Sequence, residues 1–243
     1  MTAALGDPRI AAGMRAQFAL RREQSSAGAK QIGWKVGFGA PAALERLHLH
    51  GPLIGFLMDR ALVPAGGTVP LDGWHKPVAE PEIAVHIGHD VPGGADRATV
   101  RSAIAAIGPA IELADIDGPM DDVTSILAGD IFQRHVILGP RDESRAGAKL
   151  DGLTGRIRRS GHDMPVPTDL EAATGEIVGI IRHVADVTAA LGDGLRAGQI
   201  VICGSVTPPL FIEPNDSDLE WALDPVGAAS IRFGTSPGSG EST

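Results

Sequence analysis

The chain has 243 residues, with 21 Lys and Arg against 30 Asp and Glu, so its formal net charge is −9. This length, with 43% hydrophobic residues, predicts one large globular domain, and the acidic balance excludes the basic surface that nucleic-acid-binding proteins use. The single cysteine, Cys203, excludes an internal disulfide and a cysteine-based zinc site, so oxygen donors must hold any metal.

The hydrophobic residues are distributed in short runs. No run reaches the roughly 18 residues that a membrane span requires, and the first residues lack the basic-then-apolar order of a signal peptide. We therefore expect a cytoplasmic protein that binds neither membranes nor nucleic acid.

Apolar periodicity predicts three helices. The first covers about 8–23, the second lies between an N-cap at Asp96 and a stop at Gly108, and the third covers about 176–191. The apolar positions of the second helix, at i, i+3, i+4 and i+7, are Val100, Ala103, Ile104 and Ile107.

Short apolar runs bounded by turn residues predict the strands. They fall at 32–37, 82–87, 109–114, 134–138, 155–159, 199–203 and 229–233. Three helices are too few to connect so many parallel strands, which disfavours a doubly wound sheet. We expect an α+β, mostly β fold with helices outside, one domain over 1–233, and a disordered Gly/Ser/Pro-rich tail over 234–243.

Carboxylates interrupt two of the apolar strands. Alternation along the first places Glu80 and Glu82 on one face, and Pro81 between them suits an edge strand or the mouth of a cavity. Glu112 lies among apolar residues, where an unpaired charge is costly. Three carboxylates at one site predict Mg²⁺ or Mn²⁺, whereas the alternative is an ordinary solvated strand face.

Four further polar residues are candidates for function. Lys35 is embedded in an apolar strand and needs a counter-charge or an anionic ligand, unless it extends to solvent as a surface lysine. His48 and His50 form an HxH pair that suits metal binding or proton transfer on a loop, or has neither role. Ser205 follows a strand in a turn whose hydroxyl and amide groups suit a carboxylate, or which is simply a turn.

Taken together, these segments resemble the fumarylacetoacetate hydrolase superfamily, in particular its 2-keto-4-pentenoate hydratase and 4-oxalocrotonate decarboxylase branch. The matching segments are Gly33-Trp34-Lys35-Val36-Gly37, Pro77-x-x-Glu80-x-Glu82-Ile83-Ala84-Val85, Pro109-Ala110-Ile111-Glu112, Asp186-Val187-Thr188-Ala189-Ala190-Leu191-Gly192 and Leu195 through Ser205. The resemblance covers about residues 8–233.

The resemblance implies a mixed β-roll with peripheral helices and a tendency to form homo-oligomers. It also implies that Glu80, Glu82 and Glu112 hold Mg²⁺ or Mn²⁺, that Lys35 is the active-site lysine of the branch, and that Ser205 lies in a turn that contacts substrate. The implied substrate is a small 2-oxo acid.

The sequence departs from the branch at several positions. Where hydratases carry Pro-Asp-aromatic-Gly, with the Asp implicated in proton transfer, this chain has Leu53 in the acid's place. If proton transfer persists, the candidates in the same stretch are His48, His50 and Asp59. The branch's Asp-Asn pair becomes Gly129-Asp130, so Leu53 and Asp130 are expected at the substrate-binding positions.

The function implied by the resemblance is a lyase of aromatic catabolism: a metal-dependent hydratase that adds water to a 2-hydroxy-2,4-dienoate and yields a 4-hydroxy-2-oxo acid. The alternatives are decarboxylation of a 4-oxalocrotonate-type acid and C–C hydrolysis of an acylpyruvate. No counterpart of the His-x-x-Glu pair of the hydrolases is evident. A non-catalytic metal-binding homologue is the further alternative.

Overall fold

The computed structural model describes residues 6–235. Within this range it contains five α-helices: α1 (Pro8–Ser26), α2 (Pro41–Leu47), α3 (Arg97–Ala103), α4 (Val123–Ala128) and α5 (Ile177–Ala190). None of the helices in this part of the chain is long and apolar enough to cross a membrane.

Twelve strands of the described residues form two sheets. They are β1 (Gln31–Gly37), β2 (Leu53–Met58), β3 (Gly67–Pro70), β4 (Pro77–Ile87), β5 (Ile104–Asp115), β6 (Gln133–Leu138), β7 (Thr154–Arg159), β8 (His162–Met164), β9 (Ile200–Ser205), β10 (Leu210–Phe211), β11 (Asp218–Asp224) and β12 (Gly227–Gly234). The fold is mostly β, as predicted.

The larger sheet carries the candidate site. Its order is β2-β1-β9-β4-β5-β6, with β10 also pairing with β4. β1 and β9 are parallel, and the other pairs of this sheet are antiparallel. The smaller sheet has the order β3-β12-β11-β7-β8, and Trp221 on β11 joins it to the larger sheet by donating from its indole nitrogen to the Glu82 carbonyl (2.8 Å).

The first helix forms for the predicted reasons. The Asp7 carboxylate caps it by accepting from the backbone N–H of Arg9 (2.9 Å), and Pro8 opens it. Its buried side includes Met14 and Phe18, and it extends three residues beyond the predicted end, to Ser26.

The second predicted helix is wrong beyond its first two turns. Asp96 caps α3 as expected, but the helix ends at Ala103, and β5 begins at Ile104. Ile104 and Ile107 fit a helical spacing, yet both are buried in a strand that pairs with β4 over its whole length. Pairing with a central strand outweighed the local periodicity.

The prediction of an edge position for Pro81 is also wrong. β4 lies in the interior of the sheet, between β5 and β9. Pro81 is tolerated because the pairing with β9 is irregular between Glu82 and Ala84, so the missing N–H falls beside a break in the ladder. The break coincides with the end of β9 at Ser205, where the candidate site lies.

On the face of the larger sheet that carries Glu82 and Glu112, the neighbouring residues of β4 and β5 are apolar. Its small side chains, Ala84 on β4 and Ala110 on β5, pack with Leu57, Val136 and Ile202 in a separate buried cluster. At the end of the chain, Gly234 is the last residue of β12 rather than the start of a tail, and the rest of the predicted disordered tail, 236–243, lies outside the described residues.

Candidate metal centre

Three glutamates meet on the inner face of the larger sheet. Glu80 and Glu112 are direct partners across β4 and β5, and Glu82 lies two residues along β4 on the same face. One carboxylate oxygen of each lies within 4.8 Å of the others. The alternation of the strands therefore brings together the three carboxylates that the sequence singled out.

Lys35 is the cation of this cluster. It is 1% exposed on β1, and its Nζ forms an ion pair with Glu112 Oε1 and donates to the carbonyl oxygen of Ile131 (3.2 Å). The alternative of a surface lysine is excluded by this burial. One lysine cannot neutralise three carboxylates, so the cluster has an excess of negative charge whenever all are ionised.

The pKa values of the glutamates show the cost of this excess. Burial, followed by the charge of Glu112, raises the pKa of Glu80 from 4.5 to about 7. Burial and the charges of Glu112 and Glu80 raise the pKa of Glu82 well above its ordinary value. Burial also raises the pKa of Glu112, although Lys35 opposes the change. Burial alone would lower the pKa of Lys35, but Glu112, Glu80 and Asp130 together raise it.

The donor set fits a hard divalent cation. Glu112 Oε2 is buried without any hydrogen-bond partner, which leaves an oxygen that an ion can satisfy. Glu82 Oε2 accepts from the backbone N–H of Gly204 (2.7 Å), and Gly204 has a left-handed φ of 87°, which favours glycine at this position. Three preoriented carboxylates suit Mg²⁺ or Mn²⁺.

A left-handed turn packs behind Lys35. Asp130, Ile131 and Phe132 all have φ between 54° and 61°, a conformation that costs free energy in residues other than glycine. The turn points the Ile131 carbonyl at Lys35 and the buried Asp130 carboxylate at β2, where Oδ1 accepts from the N–H of Phe56 (2.9 Å). Burial raises the pKa of Asp130 well above its ordinary value, although Lys35 lowers it.

A cavity of about 490 Å³ opens above the cluster. Its polar lining comprises Lys35, Arg46, Glu80, Thr174, Ser205 and Thr207, and the rest is mainly aliphatic and aromatic. This combination of an apolar wall with a few convergent polar groups is typical of sites for small organic ligands. Thr207 belongs to the turn that the sequence singled out with Ser205, whereas Arg46 and Thr174 had no sequence signal, because nothing in a helix end or a loop shows which way a side chain faces.

Other predicted residues lie away from the cavity. His48 and His50 are exposed after α2, and Asp59 accepts from the backbone N–H of Lys30 (3.0 Å); none of them lines the cavity. Leu53 is 2% exposed within the apolar core, and Asp130 lies behind Lys35. The structure thus brings Lys35 and Ser205 to the glutamates but not the three proton-transfer candidates.

Comparisons with known proteins agree on one family. The family model for the fumarylacetoacetate (FAA) hydrolase C-terminal domain matches residues 34–232. The chain is 26% identical over 220 residues to a 4-oxalocrotonate decarboxylase of Pseudomonas putida, covering 89% of this chain and 83% of that protein. It is equally 26% identical over 220 residues to a 2-hydroxyhexa-2,4-dienoate hydratase of Comamonas testosteroni, covering 87% and 81%.

A solved structure shares the fold. The structure of 4-oxalocrotonate decarboxylase from Pseudomonas putida G7, complexed with magnesium and adipate, matches with a TM-score of 0.84 at 24% identity, covering 92% of this chain and 86% of that one. The likeness establishes the architecture, a mixed β-roll with peripheral helices, as the sequence predicted.

Proposed function

The chain belongs to the fumarylacetoacetate (FAA) hydrolase family, and from this premise we propose that it is a metal-dependent hydratase. It adds water to a 2-hydroxy-2,4-dienoate and yields a 4-hydroxy-2-oxo acid, within one catalytic domain over 1–233. The observation that carries the proposal is the cluster of three glutamates and a buried lysine, of which Glu80 and Lys35 line an apolar cavity.

Glu80, Glu82 and Glu112 hold Mg²⁺ or Mn²⁺ in this proposal. Their clustered oxygens and the partnerless Glu112 Oε2 support it, as does the magnesium in the Pseudomonas putida G7 decarboxylase structure. When bound, the cation supplies a Lewis acid that draws electron density toward the C2 oxygen of a 2-oxo acid.

The turn after β9 and the lysine position the substrate. The hydroxyls of Ser205 and Thr207, which line the cavity, are suited to the substrate carboxylate. Lys35 Nζ has three donors, of which Glu112 and the Ile131 carbonyl use two. The third is available to the substrate, and the apolar wall excludes water other than the reacting molecule.

Proton transfer is assigned to Lys35. The place of the branch's acid is occupied by Leu53, which is buried in the core, and His48, His50 and Asp59 do not line the cavity. Lys35 takes this role in the proposal because its ammonium group lines the cavity, lies beside the glutamates and is not itself assigned to the cation.

Direct assay tests the proposal. The absorbance of 2-hydroxypenta-2,4-dienoate should fall in the presence of Mg²⁺ or Mn²⁺ and stay constant after chelation, and mass spectrometry should show a product heavier by one water. Inertness toward this dienoate, an oxalocrotonate and an acylpyruvate, with metal bound, would instead support a non-catalytic metal-binding protein.

Decarboxylation of a 4-oxalocrotonate-type acid is the second candidate. The apolar side chain of Leu53, where hydratases of the branch carry an acid, favours it, because loss of CO₂ requires no activation of water. Release of CO₂ without uptake of water would establish it. C–C hydrolysis of an acylpyruvate has less support, since no histidine is found among the described residues that line the cavity.

The proposal extends to the oligomeric state of the protein. We expect a homo-oligomer, as the resemblance implies, and light scattering coupled to size-exclusion chromatography measures it. A monomeric mass would contradict this expectation without affecting the proposed reaction.

A further inference from the structure

Arg46 lines the cavity from the last turn of α2. Ala42 and Ala43, which also line it, lie one turn earlier on the same helix face. Long side chains in helices lean over the preceding turn, so the Arg46 side chain lies above two methyl groups. Arg46 is exposed, whereas Lys35, which also lines the cavity, is buried. Arg46 therefore belongs to the mouth of the cavity.

Arg46 carries a charge that no carboxylate of the described residues neutralises. Within residues 6–235, no carboxylate oxygen lies within 4.0 Å of its guanidinium, in contrast to Lys35, which Glu112 neutralises. Lys76 does not line the cavity, although its Nζ lies 4.5 Å from the centre of the ring of Phe211, which does. In a chain with a net charge of −9, Arg46 is thus the lining cation that no carboxylate of the described residues neutralises.

The wall between the base and Arg46 is apolar. Phe38, Met120, Phe132 and Pro208 are among its side chains. A hydrocarbon chain fits such a wall, and a volume of about 490 Å³ accommodates a ligand considerably larger than a three-carbon acid. The arrangement suits a molecule with an acidic group at each end.

We propose that Arg46 determines specificity by binding a second carboxylate at the far end of the substrate. The inference rests on the proposed function, since it assigns the 2-oxo acid end to the glutamate cluster. The guanidinium offers paired N–H donors that match a carboxylate. A carboxylate held in this way is stabilised as an anion and is therefore not lost as CO₂. The substrate class is thus a dienoic diacid, which takes up water at C4 and keeps both carboxylates in the product.

Two probes that differ only in the far carboxylate test the proposal. Calorimetry in the presence of Mg²⁺ compares 2-oxoadipate with 2-oxohexanoate. The native protein should bind the diacid at least about fivefold more tightly, a preference that weakens as NaCl is raised, because the Arg46 contact is exposed. Arg46→Gln should abolish the preference and leave the affinity for 2-oxohexanoate unchanged, which also shows that the variant is folded.

Arg22→Gln is the matched control. Arg22 is an exposed arginine on α1 that does not line the cavity, so this variant should keep the full preference. Equal binding of the two acids by the native protein, or an undiminished preference in Arg46→Gln, would overturn the proposal while the proposed function stands. If neither acid binds in the presence of Mg²⁺, the proposed function fails and the assignment of Arg46 fails with it.

Discussion

Glu80 on β4 and Glu112 on β5 face each other directly across two antiparallel strands. Like charges in directly opposed positions destabilise a sheet, and here the pair is joined by a third carboxylate from Glu82. The burial and mutual repulsion of these groups appear in their raised pKa values. The burial and close spacing of the carboxylates destabilise the metal-free protein, and they also preorganise the site for a divalent cation.

Removal of one carboxylate should abolish tight metal binding. Glu82→Gln keeps the shape and the contact with the Gly204 N–H but removes a negative ligand, so Mg²⁺ affinity should fall at least about tenfold, which is about 1.4 kcal/mol. Calorimetric titration measures it, with Glu23→Gln on the exposed face of α1 as the control. Equal Mg²⁺ affinity in Glu82→Gln and the native protein would remove Glu82 from the metal site.

The stability of the metal-free protein should fall as the pH rises. The pKa of Glu80 is 4.5 in its ordinary state and about 7 in the folded protein, so between these values the folded state binds more protons than the unfolded state. The free energy of unfolding should therefore decrease from about pH 4.5 through pH 7, and Glu82, Glu112 and Asp130 shift in the same direction.

Denaturant unfolding at several pH values, in the presence of a chelator, measures this slope. Glu80→Gln should reduce it, because the amide does not titrate. Saturating Mg²⁺ should oppose the loss at the upper end of the range, since the cation binds the deprotonated carboxylates. A stability that rises from pH 4.5 to 7 without metal would contradict the proposed electrostatics of the cluster.

The site residues that could be predicted are those on strands, because the alternation of side chains shows which face each one occupies. Glu80 and Glu82 share a face because they are two residues apart. Lys35 lies in an apolar strand, where a buried ammonium group requires a counter-charge. His48 and His50 lie in a loop, where no periodicity indicates which direction a side chain takes, and the structure leaves both exposed.

The fold was predictable to the same extent. The strand at 109–114 was predicted, but residues 104–108, which begin β5, were assigned to a helix. Ile104 and Ile107 fit a helical spacing, and a strand that is buried on both faces shows no alternation of polar and apolar residues. The left-handed turn at 130–132 was not predicted, because only Asp130 is of a residue type that favours this conformation, whereas Ile131 is β-branched and Phe132 is bulky. It forms because tertiary contacts with β1 and β2 outweigh the local preference.

Replacement of Lys35 should separate metal binding from substrate binding. Lys35→Met removes the cation that competes for Glu112 Oε1, so Mg²⁺ should bind at least as tightly as in the native protein. The affinity for 2-oxo acids, or kcat/KM, should fall at least about tenfold, about 1.4 kcal/mol. Lys30→Met, at an exposed position, is the control. Unchanged kinetics in Lys35→Met would show that the lysine has only a structural role.

The absence of a side chain at Gly55, opposite Lys35, should also be required for activity. Gly55 on β2 pairs with Lys35, and a Cβ there would lie 2.8 Å from both Asp130 Oδ1 and Lys35 Cγ. Gly55→Ala must therefore displace the lysine or the left-handed turn behind it, which should cost about 1–3 kcal/mol of stability and at least about tenfold in kcat/KM, even where the protein remains folded.

Gly179→Ala is the same substitution at a position where we expect a gain of stability instead of a loss. Gly179 lies within α5, and a Cβ there meets no atom nearer than Glu176 Oε2 at 4.0 Å. Alanine loses less backbone entropy than glycine in a helix, so this variant should gain about 0.5–1 kcal/mol and keep full activity. Thermal unfolding and steady-state kinetics of both variants check the pair. If Gly55→Ala also kept full activity, the close packing of Lys35 against β2 would not be required for the reaction, because the lysine could shift without consequence.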